Sequence, residues 1–480
     1  MTRAIFLSVV VSTLVAAGSP GQTLVPPPKP QDPIPTMPKP PVTPLPEPAG
    51  GENPGEASQK DKSAGSDKKG EGEREKSAET ESQIKKVSEV LARPLRLQPT
   101  IDLRGRIETE VVTAAQSPES RQAIGELVNG YGFRRVRLGA QGSTGDAASW
   151  VSEVELAGGN VRLRDVFVGL DAFPGVRQVR VGHFREPFSL EGMTSTNSIT
   201  FLERSPTNVL SPTRNWGACG FWWADDERTL FTLGAFRDGT ESNGQSIGNG
   251  SNWAFTARLT GLPVDEKVGD EVRLVHIGGA FSQRVPPNGL INFTPQTGSN
   301  LLTVEDNPGS PFLPVVDIRS NSYQLFNLQA AGVVGSFSVQ GEWTGATVQQ
   351  TGAGGLFVHG LYAYGSYFLT GEHRGYNRTR GSFDAVDVRR PLIRSRTDPR
   401  GGYGAVELVS RLAFLDFSSP NLPADVNGMP SATRLYEVTV GANWYLNRNT
   451  RVMLNYTAAI PDKVTTTVAH VFGLRTAIYW

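Results

Sequence analysis

The 480-residue sequence predicts an all-β fold, a 16-stranded antiparallel transmembrane β-barrel preceded by a disordered tether rich in proline and charge. Three observations predict it. From about residue 98, aliphatic residues recur with a period of two and charged residues fill the alternate positions, the pattern of strands with one dry and one wet face. The connections between these segments alternate between long and short. The chain ends on an amphipathic segment closed by an aromatic residue, Trp480. No apolar run reaches the roughly 18 residues of a spanning helix, which excludes a helical membrane protein.

Residues 1–22 read as a secretory signal: Arg3 supplies the positive start, residues 4–15 the apolar core, and Ala16, Ala17, Gly18 and Ser19 the small residues for cleavage. Residues 23–56 form a proline-rich linker that favours extended polyproline II and cannot build a core. Residues 57–92 are a charged, low-complexity segment. Within 82–92, Ile84, Val87 and Leu91 fall at helical spacing, which predicts a short helix or a coiled coil shared between neighbouring copies, ended by Pro94. The barrel domain is expected over 93–480.

Base usage changes at that boundary. Beyond residue 92 there are 34 arginines and only two lysines, Lys267 and Lys463. Guanidinium is planar and forms paired hydrogen bonds to carboxylate or phosphate, which an ammonium cannot. A net charge of zero gives no argument for nucleic acid. One cysteine, Cys219, excludes an intrachain disulfide, and five histidines with one cysteine argue against a structural zinc site, so no metal or cofactor is expected. There is no Gly-x-Ser-x-Gly elbow and no His-Glu-x-x-His, so no enzyme is expected.

The strands follow in order. Over 99–113, Ile101, Leu103, Ile107 and Val111 oppose Asp102, Arg104, Arg106, Glu108 and Glu110. Over 130–143, Val136, Leu138 and Ala140 oppose Arg135 and Arg137. Further segments are expected at 147–157, 162–171, 176–184, 215–225, 228–237, 252–261, 271–284, 320–333, 335–347 and 357–372. The last four are expected at 400–416, 433–447, 450–460 and 467–480. Connections such as 185–214 and 285–319 are long. The alternate set is mostly tight, including 226–227 and 334, with 262–270 longer and 373–399 the exception. Short turns on one rim and long loops on the other suit an outer-membrane barrel. Phe472, Leu474, Thr476, Ile478 and Trp480 share one face of the final strand, where barrel-insertion machinery reads a terminal aromatic.

Sixteen strands leave no unpaired edge only if the sheet closes, and such a barrel is wide enough to hold water. Its wet face would carry Arg104, Arg106, Arg135, Arg137, Arg180, Arg411, Arg451 and Arg475. These arginines form either a selective track or ordinary ion pairs in a wet lumen. Tyr362, Tyr364, Tyr367, Phe368, Trp444 and Tyr445 would suit aromatic girdles.

Five blocks at 131–137, 181–191, 199–204, 367–372 and 440–447 carry a resemblance to the phosphate-selective porin O and P family. They include Phe133-Arg134-Arg135, Phe184-Arg185-Glu186-Pro187, Glu203-Arg204, Gly371-Glu372 and Asn443-Trp444-Tyr445. The resemblance covers 98–480 and leaves the tether outside. It implies a homotrimeric barrel with loop three, here 185–214, folded into the pore. By the same resemblance, Arg134 and Arg135 match basic pore residues, Arg204 the arginine of the constriction loop, and Asp165 an acidic residue near the central site. Adjacent strand residues face opposite ways, so Arg135 and Arg137 are the expected lumen residues and Arg134 needs a bend or the rim. Loop three also holds Arg185 and Arg214. Where phosphate-selective members carry lysines, this chain has Gly192 and Asn197.

The expected function is passive diffusion of small hydrophilic solutes through a porin in the outer membrane of a double-membraned bacterium, reached by signal-peptide export. The resemblance adds anions such as phosphate or polyphosphate. The alternative is a general, non-selective porin with a structural role, its tether linking the outer membrane to cell wall or a periplasmic partner. Expected partners are outer-membrane lipid, two further copies of the chain and the insertion machinery.

Overall fold

The computed structural model describes residues 99–480 except 125, 146, 172, 174, 240–251, 270, 294, 296–297, 299–302, 305–316, 394–400, 423–432 and 463–467. The expected signal segment, linker, charged segment and 82–92 helix lie outside the described residues. Among the described residues, sixteen long strands build one antiparallel sheet. They are β1 (Asp102–Gln116), β2 (Gly130–Thr144), β3 (Ala148–Glu155), β4 (Arg162–Leu170), β5 (Gln178–Arg185), β6 (Arg214–Trp223), β7 (Thr229–Arg237) and β8 (Ala254–Val268). The second half comprises β9 (Glu271–Arg284), β10 (Asp317–Val334), β11 (Phe337–Gln350), β12 (Leu356–Phe368), β13 (Ala405–Asp416), β14 (Arg434–Asn447), β15 (Thr450–Pro461) and β16 (Ala469–Tyr479). Each strand pairs with its sequence neighbours, and β1 pairs with both β2 and β16, so the sheet closes into a barrel.

The burial pattern is the reverse of a soluble core. On β1 the aliphatic face is exposed, with Leu103 at 76%, and the charged face is buried, with Glu110 at 1%. The same inversion holds on β16, where Phe472, Leu474 and Ile478 are exposed and Arg475 is buried. An apolar outer face needs an apolar solvent, and closure leaves no strand edge in it. On β12 the outward aromatics Phe357 and Tyr367 stand ten residues apart. At about 3.3 Å per residue and a tilt near 40°, that is about 25 Å along the barrel axis, the height of a lipid-facing band.

The start of β1, the end of β16 and the tight turns share one rim. At residues 335–336 the turn between β10 and β11 is two residues long, with Gly335 at φ 54°, the left-handed conformation that tight hairpins demand. On that rim the long segment 369–404 stands out, as the sequence anticipates.

Two expectations need correction. The sequence places a loop at 262–270 because Pro263 and the charges after it look like a turn. The strand instead runs on to Val268, and its register with β9 shifts beside Pro263, where Val275 pairs Val264 and Ile277 pairs Gly261. A bulge accommodates a proline that a regular ladder would reject. The aromatic girdle also loses members. Tyr367 and Trp444 face outward, but Tyr362, Tyr364, Phe368 and Tyr445 are buried on the inner side, because strand parity and not composition sets their direction.

The closing seam is tight. Gly105 and Trp480 exchange backbone hydrogen bonds of 3.0 and 3.1 Å, and a Cβ on Gly105 would lie 2.4 Å from the Trp480 ring. Gly105→Val should therefore cost about 1–3 kcal/mol through overpacking. Thermal unfolding in detergent, followed by heat-modifiable gel mobility, should show a lower transition temperature than wild type.

Candidate functional site

The interior is organised around the segment 186–213, which joins β5 to β6. Its first end is held by a buried ion cluster. Arg284 on β9 donates to both carboxylate oxygens of Glu186, at 2.8 and 3.1 Å, and also to Asp238. Asn215 and Thr256 donate to the same Glu186 at 2.7 Å each. A one-turn helix follows, Leu190–Met193, capped by Ser189. The Glu342 carboxylate on β11 accepts from the backbone N–H groups of Leu190 and Glu191, at 2.8 and 2.7 Å, and from Tyr362 Oη at 2.5 Å.

Further along, arginines of the opposite wall hold the segment by its carbonyls. Arg451 donates to the carbonyls of Ile199 and Thr196, Arg411 to that of Glu203, and Arg475 to that of Leu202. Asn443 donates to the Thr200 carbonyl, and Arg106 to the Thr196 hydroxyl. These arginines are 3% exposed or less, and two of them make close ion pairs as well: Arg411 with Glu437 at 2.7 Å, and Arg475 with Glu110 and Glu203. Arg106, Arg411 and Arg475, candidates for anion contact in the sequence, thus serve here to clamp a loop. Arg104 sits apart, bonded to Gln141 and Glu153. Arg180 also sits apart, its guanidinium 4.3 Å from the Phe167 ring and 4.6 Å from the Phe221 ring.

The remaining arginine candidates gather at one cavity, with Asp165 bonded to one of them. It has a volume of about 670 Å³ and lies between 186–213 and the first strands, lined by Arg134, Arg135, Arg137, Arg185, Arg204 and Arg214. Two bulges aim the charges. On β2, Glu108 of β1 pairs Arg135 while Thr109 pairs Phe133, so Arg134 is an extra residue. That is the bend Arg134 requires, and both arginines reach Glu203: Arg134 at 2.6 and 3.1 Å, Arg135 at 3.3 Å. On β4, Ser152 pairs Val166 and Val154 pairs Leu163, so Arg164 and Asp165 together oppose Glu153. Asp165 receives both nitrogens of Arg214, at 3.2 and 2.8 Å. Arg162 and Arg164 also line the cavity, and sequence reasoning missed them. The available signal was two adjacent charges in an alternating strand, which Arg134-Arg135 and Arg164-Asp165 share.

Most of these cations are neutralised. Arg137 bonds Glu155 at 2.7 Å and Glu153 at 3.2 Å, and Arg135 bonds Glu108 at 2.5 Å. Arg162, Arg185 and Arg204 differ: among the described residues none of them lies within ion-pair distance of a carboxylate. Arg204 is spent on the carbonyls of Glu191, Gly192 and Thr194. Burial lowers its pKa to about 10, which still leaves it charged at neutral pH.

A second segment enters from the tight-turn rim. Within 369–404, a small hairpin pairs Gly375–Asn377 with Ser382–Asp384. Arg258 on β8 donates to the carbonyls of Gly381 and Arg380, at 2.6 and 3.2 Å, and to Gln329 at 2.7 Å. Gln329 in turn donates to the Phe188 carbonyl. Phe383 shares a buried cluster with Leu190, Leu262 and Leu274. Segments from opposite rims therefore meet inside the barrel.

The family model for phosphate-selective porin O and P matches residues 125–479, about three quarters of the chain, and the protein belongs to that family. Porin O of Pseudomonas aeruginosa is 25% identical over 309 residues, 60% of this chain and 66% of that protein. An uncharacterised protein of Caulobacter vibrioides is 26% identical over 378 residues, 75% of this chain and 69% of its own length. Among solved structures, the anion-selective porin from Comamonas acidovorans is 12% identical, covering 80% of this chain and all of that one, with a TM-score of 0.47. The trimer form of OmpT from Vibrio cholerae is 13% identical over 80% of this chain and 99% of its own, with a TM-score of 0.44. The protein is an outer-membrane β-barrel channel of a Gram-negative bacterium through which solutes diffuse.

One loop residue titrates in the working range. Burial pushes the Glu191 carboxyl up to about 7, Arg411 at 3.7 Å pulls it down, and Glu342 adds to the rise. The unfolded value is lower, so folding favours the protonated form. Stability on the order of 3 kcal/mol is present below about pH 4.5 and is lost as pH rises to about 7. Protonation also removes a negative charge beside Arg204 and Arg411. Reversal potentials measured in a salt gradient from pH 5 to 9 should shift toward anions as pH falls through about 7. Glu191→Gln should hold the low-pH value throughout.

Proposed function

We propose that the channel is a homotrimeric porin that admits small hydrophilic solutes with a preference for anions, with 186–213 as the inward-folded loop three. The observation carrying this reading is the arginine-lined cavity beside that segment, where Arg162, Arg185 and Arg204 make no ion pair among the described residues. A fixed charge of one sign at a narrow point favours counter-ions. Arg134, Arg135, Arg137, Arg214 and Asp165 shape the same cavity, while their ion pairs leave little net charge to select with. Residues 1–22 are proposed as the export signal. The outward face of Phe472, Leu474, Ile478 and Trp480 is proposed as the feature the insertion machinery reads, with outer-membrane lipid as its final neighbour.

Planar-bilayer recording under a potassium chloride gradient tests the preference. The expected reversal potential is anion-signed, and the double substitution R185Q/R204Q should lower the chloride-to-potassium permeability ratio at least twofold. A wild-type potential near zero would leave a general porin.

The composition of 23–92 supports an added structural role, a link from the outer membrane to cell wall or a periplasmic partner. Extended at about 3.1 Å per residue, the 34 residues of 23–56 reach roughly 100 Å. Deleting 23–92 should leave single-channel conductance intact while raising sensitivity of the envelope to detergent. Unchanged sensitivity would remove the structural role.

A further inference from the structure

Resting on the anion-preferring reading, we propose that the cavity beside loop three is a binding site for hydroxylated organic anions, a carboxylate or phosphate carried on a polyol. Size is the first argument. At about 670 Å³ the cavity exceeds the roughly 30 Å³ share of one water molecule some twentyfold, so a lone oxyanion would leave most of it unfilled. It falls within the range of sites that enclose organic ligands.

The second argument is the set of polar atoms that have no partner among the described residues. Four side chains lining the cavity carry one each: Arg185 Nη1, Arg164 Nε, Asn208 Oδ1 and Thr213 Oγ1. Two are guanidinium nitrogens, which need an acceptor and are best served by an anion. Asn208 Oδ1 can only accept, so it needs a ligand hydrogen. Chloride and a bare carboxylate have none to give. A hydroxyl group supplies it, and the same group can accept from or donate to Thr213. A lining that combines guanidinium with amide and hydroxyl groups suits a ligand that is part anion and part polyol.

Gly192 supplies a third argument. A Cβ there would meet Ser189 Oγ at 2.4 Å and stand 3.8 Å from Arg185 Nη1. Any side chain at 192 would thus collide with the helix cap and crowd that guanidinium. Its absence keeps Arg185 as the local cation, planar and able to grip a carboxylate or phosphate through two nitrogens.

The test is block of the chloride current through single channels of the full-length protein at pH 7. The probes are D-gluconate, hexanoate with the same carbon count but no hydroxyls, and inorganic phosphate. Gluconate should block at a concentration at least tenfold below either of the others. T213V and N208A should each bring gluconate toward hexanoate without moving hexanoate, and R185Q should weaken both. Equal block by gluconate and hexanoate would overturn the proposal, because charge alone would then account for binding. Phosphate as the strongest blocker would overturn it in favour of an oxyanion site. No block by any probe, in a channel with an anion-signed reversal potential, would overturn the site and leave the anion preference standing. A cation-signed potential would defeat the anion preference itself. The wild-type comparison among the three probes decides the matter even if a variant fails to fold.

Discussion

The interior of this barrel depends on pairing between wall guanidinium groups and the carboxylates and carbonyls of loop three. Glu203 is the centre of it. Its carboxylate takes Arg134, Arg135 and Arg475 at 2.6 to 3.3 Å, and its carbonyl takes Arg411. A carboxylate buried without partners would cost several kcal/mol, and a buried arginine without them as much. Each is tolerable because the other is there. The preference for arginine over lysine beyond residue 92 follows from the same geometry. A fork of five donors can bond a wall carboxylate and a loop carbonyl at once, as Arg411 and Arg475 do.

Selectivity in such an interior arises from what is left over after pairing. The cavity contains many arginines, but those bonded to Glu108, Glu153, Glu155, Asp165 and Glu203 contribute shape more than field. The surplus sits at Arg162, Arg185 and Arg204, the last two beside Gly192 of the one-turn helix that Glu342 holds by its N–H groups. A positional surplus of this kind can discriminate among anions by shape as well as by sign. The many paired arginines elsewhere give a rigid frame at zero net charge.

Much of the fold was legible in the sequence because strand period, turn length and the terminal aromatic are local signals. All sixteen strands were anticipated, most within a few residues, and the departures have local causes. Pro263 reads as a terminator unless a bulge is foreseen. Tyr362 and Tyr364 look like girdle residues until their parity is counted against Leu361, which faces out. The site was legible in part. Arg135, Arg137 and Arg204 could be placed at the pore from pattern and resemblance. The clamping by Arg106, Arg411 and Arg475 could not, because it joins β1, β13 and β16 to loop residues ninety or more than two hundred positions away. No spacing within a strand reports which carbonyl lies opposite across a barrel. The insertion of 369–404 was visible only as an unexplained length on the rim of tight turns.

That insertion bears on transport in a simple way. The segment 186–213 reaches inward from one rim and the hairpin of 375–384 from the other, with Gln329 touching both through Arg258 and Phe188. A solute crossing the barrel meets two resistances in series, and series resistances add. The narrower one dominates the total, so widening the wider one changes the current little. The two segments can accordingly divide their work: one sets how fast solutes pass, while the other tolerates change in sequence at little cost to flux.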